Sequence, residues 1–212
     1  MTVKASRFDS HFPTLVLERD HEQVDAMNRS LEALVLDLEK RYRDTAENAA
    51  RDPAIATEGG YQTSTRANLL SIRDAAVDQF RRQLLLPAIG DYLREVLGEA
   101  AAQVSCQPVA WSNVLRRGDW QRPHCHASAN NIASGVYYVR VPEETPPHGC
   151  IEFVNPVPVS MHHGYSPSIR VTPREGLLLL FPPYHQHFVH PVRSDDPRIV
   201  IAFDTMLSPF IA

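Results

Sequence analysis

The residues with the clearest capacity for chemistry are three histidines in the second half of the chain. His124 and His126 are separated by one residue, and His187 follows much later. If His124 lies on a β-strand, side chains two apart point to one face, so His124 and His126 converge. Cys125, between them, is then expected to face away and pack. Because one strand offers only a line of side chains, a third metal ligand has to come from another strand, and we expect His187 to supply it.

Spacing alone leaves that third ligand open. His185 and His187 share a face of a regular strand, and His190 lies on the opposite face. Carboxylates are also common in such triads, so Glu152, flanked by apolar residues in a strand pattern, is the reserve ligand, and Asp119 is a further carboxylate. Three histidines with an open position also describe a zinc hydrolase site, where the metal generates hydroxide at neutral pH.

The elements that must position these residues change character near residue 105. Most of the 17 prolines lie in the second half, with short apolar runs between them, which is typical of short strands joined by turns. Antiparallel strands without intervening helices favour a double-stranded β-helix, or jelly roll. The predicted strands are Val109–Leu115, Gln121–His126, Ala133–Val141, Cys150–Val154, Ser168–Val171, Leu177–Phe181, Phe188–Val192 and Arg198–Phe203.

The first half of the chain predicts helices that have a packing role. Apolar residues at helical spacing mark one helix opened by Asp20 and a second over Leu69–Leu84. A third has Pro87 in its first turn and Gly98 as its stop. The apolar stretch Phe12–Leu17 predicts a first strand. Because helices come first and strands after, we expect a mainly β, α+β fold with the helices packed on the outer face of one sheet.

Composition restricts the class of protein. The chain has 212 residues, of which 43% are hydrophobic and 22% charged, as in a globular domain. We expect a single domain over 1–212, with a helical support region at 20–100 and a jelly-roll core carrying the metal site at 105–208. The formal net charge of −4 argues against nucleic-acid and anionic-membrane partners, since both favour basic patches.

The sequence also predicts where the protein resides. Its first residues lack the apolar core of a secretory signal, and the longest apolar run, Leu177–Pro183, is far shorter than the ~20 residues of a membrane span. The three cysteines, Cys106, Cys125 and Cys150, form no CxxC pair, which suits a reducing cytoplasm. We therefore expect a soluble, cytoplasmic protein with no membrane partner, and the sequence leaves a homodimer open.

Six stretches in the second half resemble, in order and spacing, those of a known family. They are Trp111–Asp119, Pro123–His126, Ser134–Val139, Glu175–Phe181, His187–Pro191 and Arg198–Asp204. The arrangement resembles the 2-oxoglutarate/Fe(II)-dependent dioxygenase superfamily, in particular its prolyl-hydroxylase-like branch and a group of bacterial oxygenases within it. The resemblance spans residues 109–205.

The resemblance implies roles for individual residues. The superfamily's metal motif is His-x-Asp followed by a distant His, so His124 and His187 match the two histidine ligands. His126 stands where the carboxylate usually stands, which is a departure from the motif. Arg198 matches the basic residue that pairs with the distal carboxylate of 2-oxoglutarate, and Tyr138 matches the tyrosine whose hydroxyl contacts the same group. The cofactors implied are Fe(II) and 2-oxoglutarate.

Elementary chemistry agrees with these roles. Three facial protein ligands leave three positions on iron, enough for the keto-acid end of the co-substrate and for O₂. The fork of Arg198 makes two charge-assisted hydrogen bonds and stays ionised. Asn113, a polar residue in an apolar strand, is expected to bind the co-substrate or metal-bound water, or else to be a satisfied structural residue. With His126 in place of a carboxylate, the 2-oxoglutarate dianion balances Fe²⁺.

The function implied is hydroxylation of an unknown small-molecule or peptide substrate, with 2-oxoglutarate and O₂ converted to succinate and CO₂. One rival is a three-histidine metal enzyme without 2-oxoglutarate, either a cupin-like dioxygenase or a zinc hydrolase. The other is a non-catalytic jelly-roll binding module. Arg198 discriminates among them, because only the 2-oxoglutarate enzyme needs a buried cation opposite the metal.

Overall fold

Two antiparallel sheets face each other in the structure, a computed structural model that describes residues 14–45, 55–63 and 67–208. The major sheet has six strands in the order β1-β9-β6-β11-β4-β3, and the minor sheet has five in the order β2-β5-β10-β7-β8. The strands are β1 Leu17–Asp20, β2 Thr57–Glu58, β3 Tyr61–Gln62, β4 Cys106–Leu115, β5 Trp120–His124, β6 Asn131–Arg140, β7 Ile151–Val154, β8 Ser168–Val171, β9 Leu177–Phe181, β10 His187–Val189 and β11 Arg198–Leu207.

The helices lie before the long strands. They are α1 Asp25–Tyr42, α2 Ala75–Gln79, a π-helical turn over Phe80–Leu85, α3 Leu86–Leu97, and short 3₁₀ segments at Leu69–Ser71, Gly98–Gln103 and Pro158–His163. None of the helices in the described part of the chain is long and apolar enough to cross a membrane.

The second and third predicted helices form one continuous rod, and the predicted start at Leu69 is wrong. The rod begins at Ala75 because Asp74 caps it, its carboxylate accepting hydrogen bonds from the backbone amides of Ala76 and Val77. Pro87 lies at the start of α3 and donates no amide hydrogen bond, and the wider π-helical turn precedes it. The predicted stop is confirmed, since Gly98 follows α3 with φ of +58°.

Strands β1, β2 and β3, three of the four edge strands, were the least predictable elements. Strand β1 begins at Leu17, where the predicted strand ended, and residues 12 and 13 lie outside the described residues. It pairs with β9 along the edge of the major sheet. Strands β2 and β3 have two residues each, too few to show any periodicity. These three edge strands come from the chain before residue 105. The fourth edge strand, β8, has the predicted bounds Ser168–Val171.

The helices cover the outer face of the major sheet and form the first of two cores. On α1 the buried residues Met27, Leu31 and Val35 recur every fourth position, which makes one stripe facing the sheet. The Tyr137 hydroxyl donates a hydrogen bond to Asn28 Oδ1 at 2.8 Å, which pairs these two buried oxygens across the contact. The fold prediction of an α+β jelly roll with helices on one sheet is confirmed.

The second core lies between the two sheets. Alternation along β6 sends Tyr137 to the helices and Val136 and Tyr138 to the interior. All five residues of Leu177–Phe181 in β9 are buried, because the strand is covered on both faces. The interior side of the major sheet is therefore available to line a cavity.

A buried ion pair fastens α1 to the end of β4. Glu39 accepts two hydrogen bonds from the Arg116 guanidinium, at 2.7 and 2.8 Å, and a third from Arg43 at 2.6 Å. Burial by itself would raise the pKa of Glu39, but the hydrogen bonds from Arg116 and Arg43 outweigh burial and hold the pKa below its usual value. The charged form of Glu39 therefore stabilises the folded state.

We expect Glu39→Gln to lower the free energy of unfolding by about 1–2 kcal/mol near neutral pH, because Arg116 is left partly buried without its partner. A depressed carboxyl pKa contributes stability above the unfolded value of 4.5, and that contribution is lost as pH falls through the lower folded value. The difference between parent and variant in urea unfolding should therefore narrow in acid. Asp37→Asn, which breaks an exposed pair with Arg41 on the same helix, is the control and should change little. A difference independent of pH would contradict this account.

Candidate metal centre

Two strands of the minor sheet place His124 and His187 side by side. They are directly paired residues of β5 and β10, and their ring centroids are 4.4 Å apart. The ring of His126 lies nearly parallel to that of His187, at a centroid distance of 5.4 Å. One nitrogen from each ring falls within 4.8 Å of the other two. The structure thus brings together the three histidines of the sequence pattern.

The route by which His126 reaches the cluster differs from the prediction. Strand β5 ends at His124, so strand alternation does not place His126. Its backbone amide instead donates to the carbonyl of Pro183 at 2.8 Å, in the segment that leads into β10. Cys125 was expected to pack, but it is exposed at the cavity wall. The turn anchored on Pro183 is what positions His126.

Hydrogen bonds assign the tautomers of the rings. His124 Nδ1 lies 2.6 Å from the carbonyl oxygen of Arg122, and His187 Nδ1 lies 2.9 Å from that of His185. Because a carbonyl only accepts, Nδ1 carries the hydrogen in both rings and Nε2 keeps its lone pair. Metal-binding histidines are fixed in this manner.

The electrostatics of the cluster favour neutral imidazoles. Burial lowers the pKa of His124 to about 4, and the nearby His126 ring adds to the effect against the opposing hydrogen bond to Arg122. Burial also lowers the pKa of His187 well below its usual value. Both rings are therefore deprotonated near neutral pH, so a metal ion would not have to displace a proton from either of them.

The alternative histidine lies outside the cluster. The ring of His185 packs on Phe153 at a centroid distance of 4.8 Å, and its Nδ1 has no hydrogen-bond partner among the described residues. Burial lowers the pKa of His185. The cluster within 4.8 Å contains His187 and not His185, a distinction that spacing could not make.

The reserve carboxylates also point elsewhere. Glu152 pairs with Phe188, one residue along from His187, so it faces the outer side of the minor sheet. There it accepts hydrogen bonds from Ser168, Arg170 and His190. Burial would raise the pKa of Glu152, but these bonds lower it to about 2. Asp119 closes a turn by accepting from the amide of Arg116 at 2.8 Å.

A cavity of about 440 Å³ joins the histidines to Arg198 between the sheets. Its floor follows one face of β11, since alternate residues of a strand share a face. The residues of that face are Arg198, Val200, Ala202, Asp204 and Met206. The cavity therefore has a cationic end at Arg198 and three imidazoles further along.

Arg198 is a buried cation that forms no ion pair with the described residues. Its side chain is among the largest that are fully buried, at 2% exposure. Its Nε donates to the Gly149 carbonyl at 3.0 Å, and its guanidinium carbon lies 5.1 Å from the centre of the Tyr138 ring. Among the described residues no carboxylate forms an ion pair with it. Burial lowers the pKa of Arg198, although arginine stays charged in proteins. Such a charge is costly unless an anion joins it.

Two polar residues flank the same position. Tyr138 on β6 and Asn113 on β4 are paired with Val200 from opposite sides. The Tyr138 hydroxyl is buried and has no hydrogen-bond partner within the described ranges, whereas Asn113 Oδ1 lies 3.3 Å from Thr57 Oγ1. Apart from the hydrogen bond of Arg198 Nε to Gly149, the guanidinium beside the Tyr138 hydroxyl forms no ion pair with a described carboxylate, so the two groups fit the carboxylate of a ligand.

Two features of the site were not predicted. Trp111 lines the cavity and stacks on His126 with ring centroids 5.7 Å apart. Asp204 lies 3.2 Å from His126 Nδ1. The period of two that puts Arg198 and Val200 on one face of β11 also includes Asp204, so the sequence held a signal for its position but none for its contact.

Comparison with known proteins finds a family that matches part of the chain. The family described as "Putative 2OG-Fe(II) oxygenase" matches residues 109–204, a little under half of the chain. A search of curated proteins finds no match. Among solved structures, a prolyl-4-hydroxylase of Pseudomonas putida aligns with a TM-score of 0.60 and 15% identity, covering 90% of this chain and 91% of the other.

Two further structures share the fold. A prolyl hydroxylase of Trichoplax adhaerens, in complex with a peptide fragment of the hypoxia inducible factor oxygen degradation domain, has a TM-score of 0.60 and 13% identity, with 90% and 83% of the chains covered. HygX of Streptomyces hygroscopicus, with nickel and 2-oxoglutarate bound, has a TM-score of 0.59 and 12% identity, with 93% and 84% covered. Residues 109–204 of this chain therefore match a family of 2OG-Fe(II) oxygenases, and the chain shares its fold with the three solved structures.

Proposed function

We propose that the chain is an Fe(II)- and 2-oxoglutarate-dependent oxygenase that hydroxylates its substrate. In this proposal His124, His126 and His187 hold the iron, and Arg198 with Tyr138 binds the distal carboxylate of 2-oxoglutarate. The observation that carries the proposal is Arg198, a buried guanidinium at one end of the cavity that the histidines line, with no carboxylate partner in the described part of the chain. A zinc hydrolase or a cupin-like dioxygenase has no use for such a cation.

The charges of the site support a dianionic co-substrate that also chelates metal. Imidazole ligands bring no negative charge to Fe²⁺, and Arg198 adds a further positive charge at the other end of the cavity. A molecule with a carboxylate at each end meets both needs, since the keto-acid end binds the metal and the far end meets the guanidinium fork. HygX, which shares the fold, holds nickel together with 2-oxoglutarate.

The residues of the chain prepare the reaction and do not carry the oxidation. Bound Fe(II) with O₂ supplies the oxidant, so that a substrate C–H, 2-oxoglutarate and O₂ become C–OH, succinate and CO₂. Backbone carbonyls fix the rings of His124 and His187. The Tyr138 hydroxyl and Arg198 orient the co-substrate, and Asn113 offers its amide at the same level of the sheet.

The substrate is a small molecule or a peptide in this proposal. The enzyme of Trichoplax adhaerens with the same fold is in complex with a peptide fragment. Among the described residues that line the cavity of about 440 Å³, one is acidic, Asp204, and one is an arginine, Arg198. With Arg198 committed to the co-substrate, this described lining has no further lysine or arginine for a phosphate backbone, which argues against nucleic acid.

We expect His187→Ala to abolish retention of iron. Loss of a direct ligand should weaken metal binding by more than the ~10–100-fold that outer partners contribute. The measurement is the iron content after anaerobic loading and desalting. His190→Ala is the matched control, because His190 follows the same strand but bonds to Glu152 on the outer side of the sheet. Parental iron content in His187→Ala would remove this residue from the site.

We expect Arg198→Ala to keep iron and to bind 2-oxoglutarate about 100-fold more weakly, because the charge-assisted bonds to the distal carboxylate are lost. Tyr138→Phe removes one hydroxyl and should cost about 10-fold. Both affinities follow from anaerobic titration of the visible charge-transfer band of the Fe(II)–2-oxoglutarate complex.

Parental affinity in Arg198→Ala would show that Arg198 does not bind the co-substrate. Absence of the charge-transfer band in the parent protein, with zinc retained through purification, would replace the oxygenase by the hydrolase. If the band is present, succinate formation under O₂ measures turnover of 2-oxoglutarate directly.

A further inference from the structure

We propose that Asp204 is a positioning residue for His126, and that it supplies behind this imidazole the negative charge that the usual carboxylate ligand would bring to the metal. The inference rests on the function proposed above, since it needs a metal at the three histidines. It concerns how this chain compensates for a histidine at the carboxylate position of the His-x-Asp motif.

The contact between the two side chains is direct. The Oδ1 and Oδ2 atoms of Asp204 lie 3.2 and 3.4 Å from His126 Nδ1. An ionised carboxylate only accepts hydrogen bonds, so Nδ1 is the donor, and Nε2 is the nitrogen left for a metal. Trp111 stacks on the His126 ring at an interplanar angle of 21°. The ring is therefore held both at its edge and on its face.

A hydrogen-bonded network holds Asp204 in place. Ser134 is the cross-strand partner of Asp204 in β6, and its hydroxyl donates to Asp204 Oδ1 at 2.6 Å. Asn131 Nδ2 lies 3.0 Å from Ser134 Oγ and donates to the backbone oxygen of His126 at 3.1 Å. Ser134 and Asn131 are both buried. The network thus joins the carboxylate to the ring and the backbone of the same histidine, which fixes their relative position.

His126 differs in this respect from the other two histidines. Nδ1 of His124 and Nδ1 of His187 donate to backbone carbonyls, whereas Nδ1 of His126 faces a carboxylate. A charged acceptor makes the stronger bond and raises the basicity of the ring's other nitrogen. The histidine at the carboxylate position is the one that has a carboxylate behind it. The negative charge is therefore carried by Asp204, which contacts the ligand His126, and not by a residue that binds the metal directly.

The test measures binding of Co(II) alone to metal-free protein, by competition with a chelator at constant pH. Asp204→Ala removes both the acceptor and the charge, and it should weaken Co(II) binding by about 10–100-fold. Asp204→Asn keeps an acceptor oxygen without the charge, so its loss should be smaller than that of alanine. The visible absorption spectrum of bound Co(II) should change in both variants, because the ligand field depends on the orientation and basicity of His126.

Two controls separate this role from others. Asp195→Ala removes the same charge from an exposed residue that pairs with Arg117, and it should leave Co(II) binding unchanged. The thermal midpoint of each metal-free variant reports on folding. Should Asp204→Ala fail to fold, Asp204→Asn and Ser134→Ala, which removes the donor to Asp204, decide the question, and both should weaken Co(II) binding.

Parental Co(II) affinity and spectrum in the Asp204 and Ser134 variants would overturn the inference. If substrate turnover alone fell in those variants, Asp204 would be a substrate contact. If only the thermal midpoint fell, its role would be structural. The proposed function would still stand in these cases, provided that His187→Ala loses the metal. A parent protein that binds neither Co(II) nor Fe(II) would overturn the proposed function and this inference with it.

Discussion

The site depends on the buried charge of Arg198, which forms no ion pair with the carboxylates of the described residues. Removing an ion from water costs several kcal/mol even after the protein relaxes around it, and Arg198 recovers part of that cost from the Gly149 carbonyl and the face of Tyr138. The remainder has to come from the packing of the rest of the chain. The helices on the outer face of the major sheet and the apolar core between the sheets supply that packing. The fold therefore tolerates a buried cation without an ion pair to a described residue.

The two sheets divide the work of the site between them. The minor sheet carries His124 and His187 in direct register, and the major sheet carries Arg198 and Tyr138 on its inner face. Facing sheets are separated by about 10 Å, so the distance between the histidines and the guanidinium is set by the architecture and not by loops. His126 is the exception. It lies past the end of a strand and reaches Asp204 across the cavity.

Much of this could be predicted from the sequence, because the informative signals were periodic. Alternation along the last strand placed Arg198 and Val200 on one face, and the His-x-His pair with a distant histidine indicated the cluster. Contacts across the fold were beyond such reasoning. The position of His126 depends on the Pro183 carbonyl, and the partner of Asp204 could not be known before the two sheets were assembled. Spacing alone did not separate His187 from His185; the family resemblance favoured His187, and the structure places His187 in the cluster.

Because Arg198 forms no ion pair with a described carboxylate, binding of an anion to it also changes the stability of the whole chain. A ligand that binds the folded state and not the unfolded state adds RT ln(1 + [L]/Kd) to the free energy of unfolding. A dicarboxylate that neutralises this guanidinium removes a standing desolvation cost from the folded protein alone. Resistance to heat and to proteolysis would then rise and fall with the supply of that small acid, and the lifetime of the polypeptide would follow the metabolic state of its surroundings.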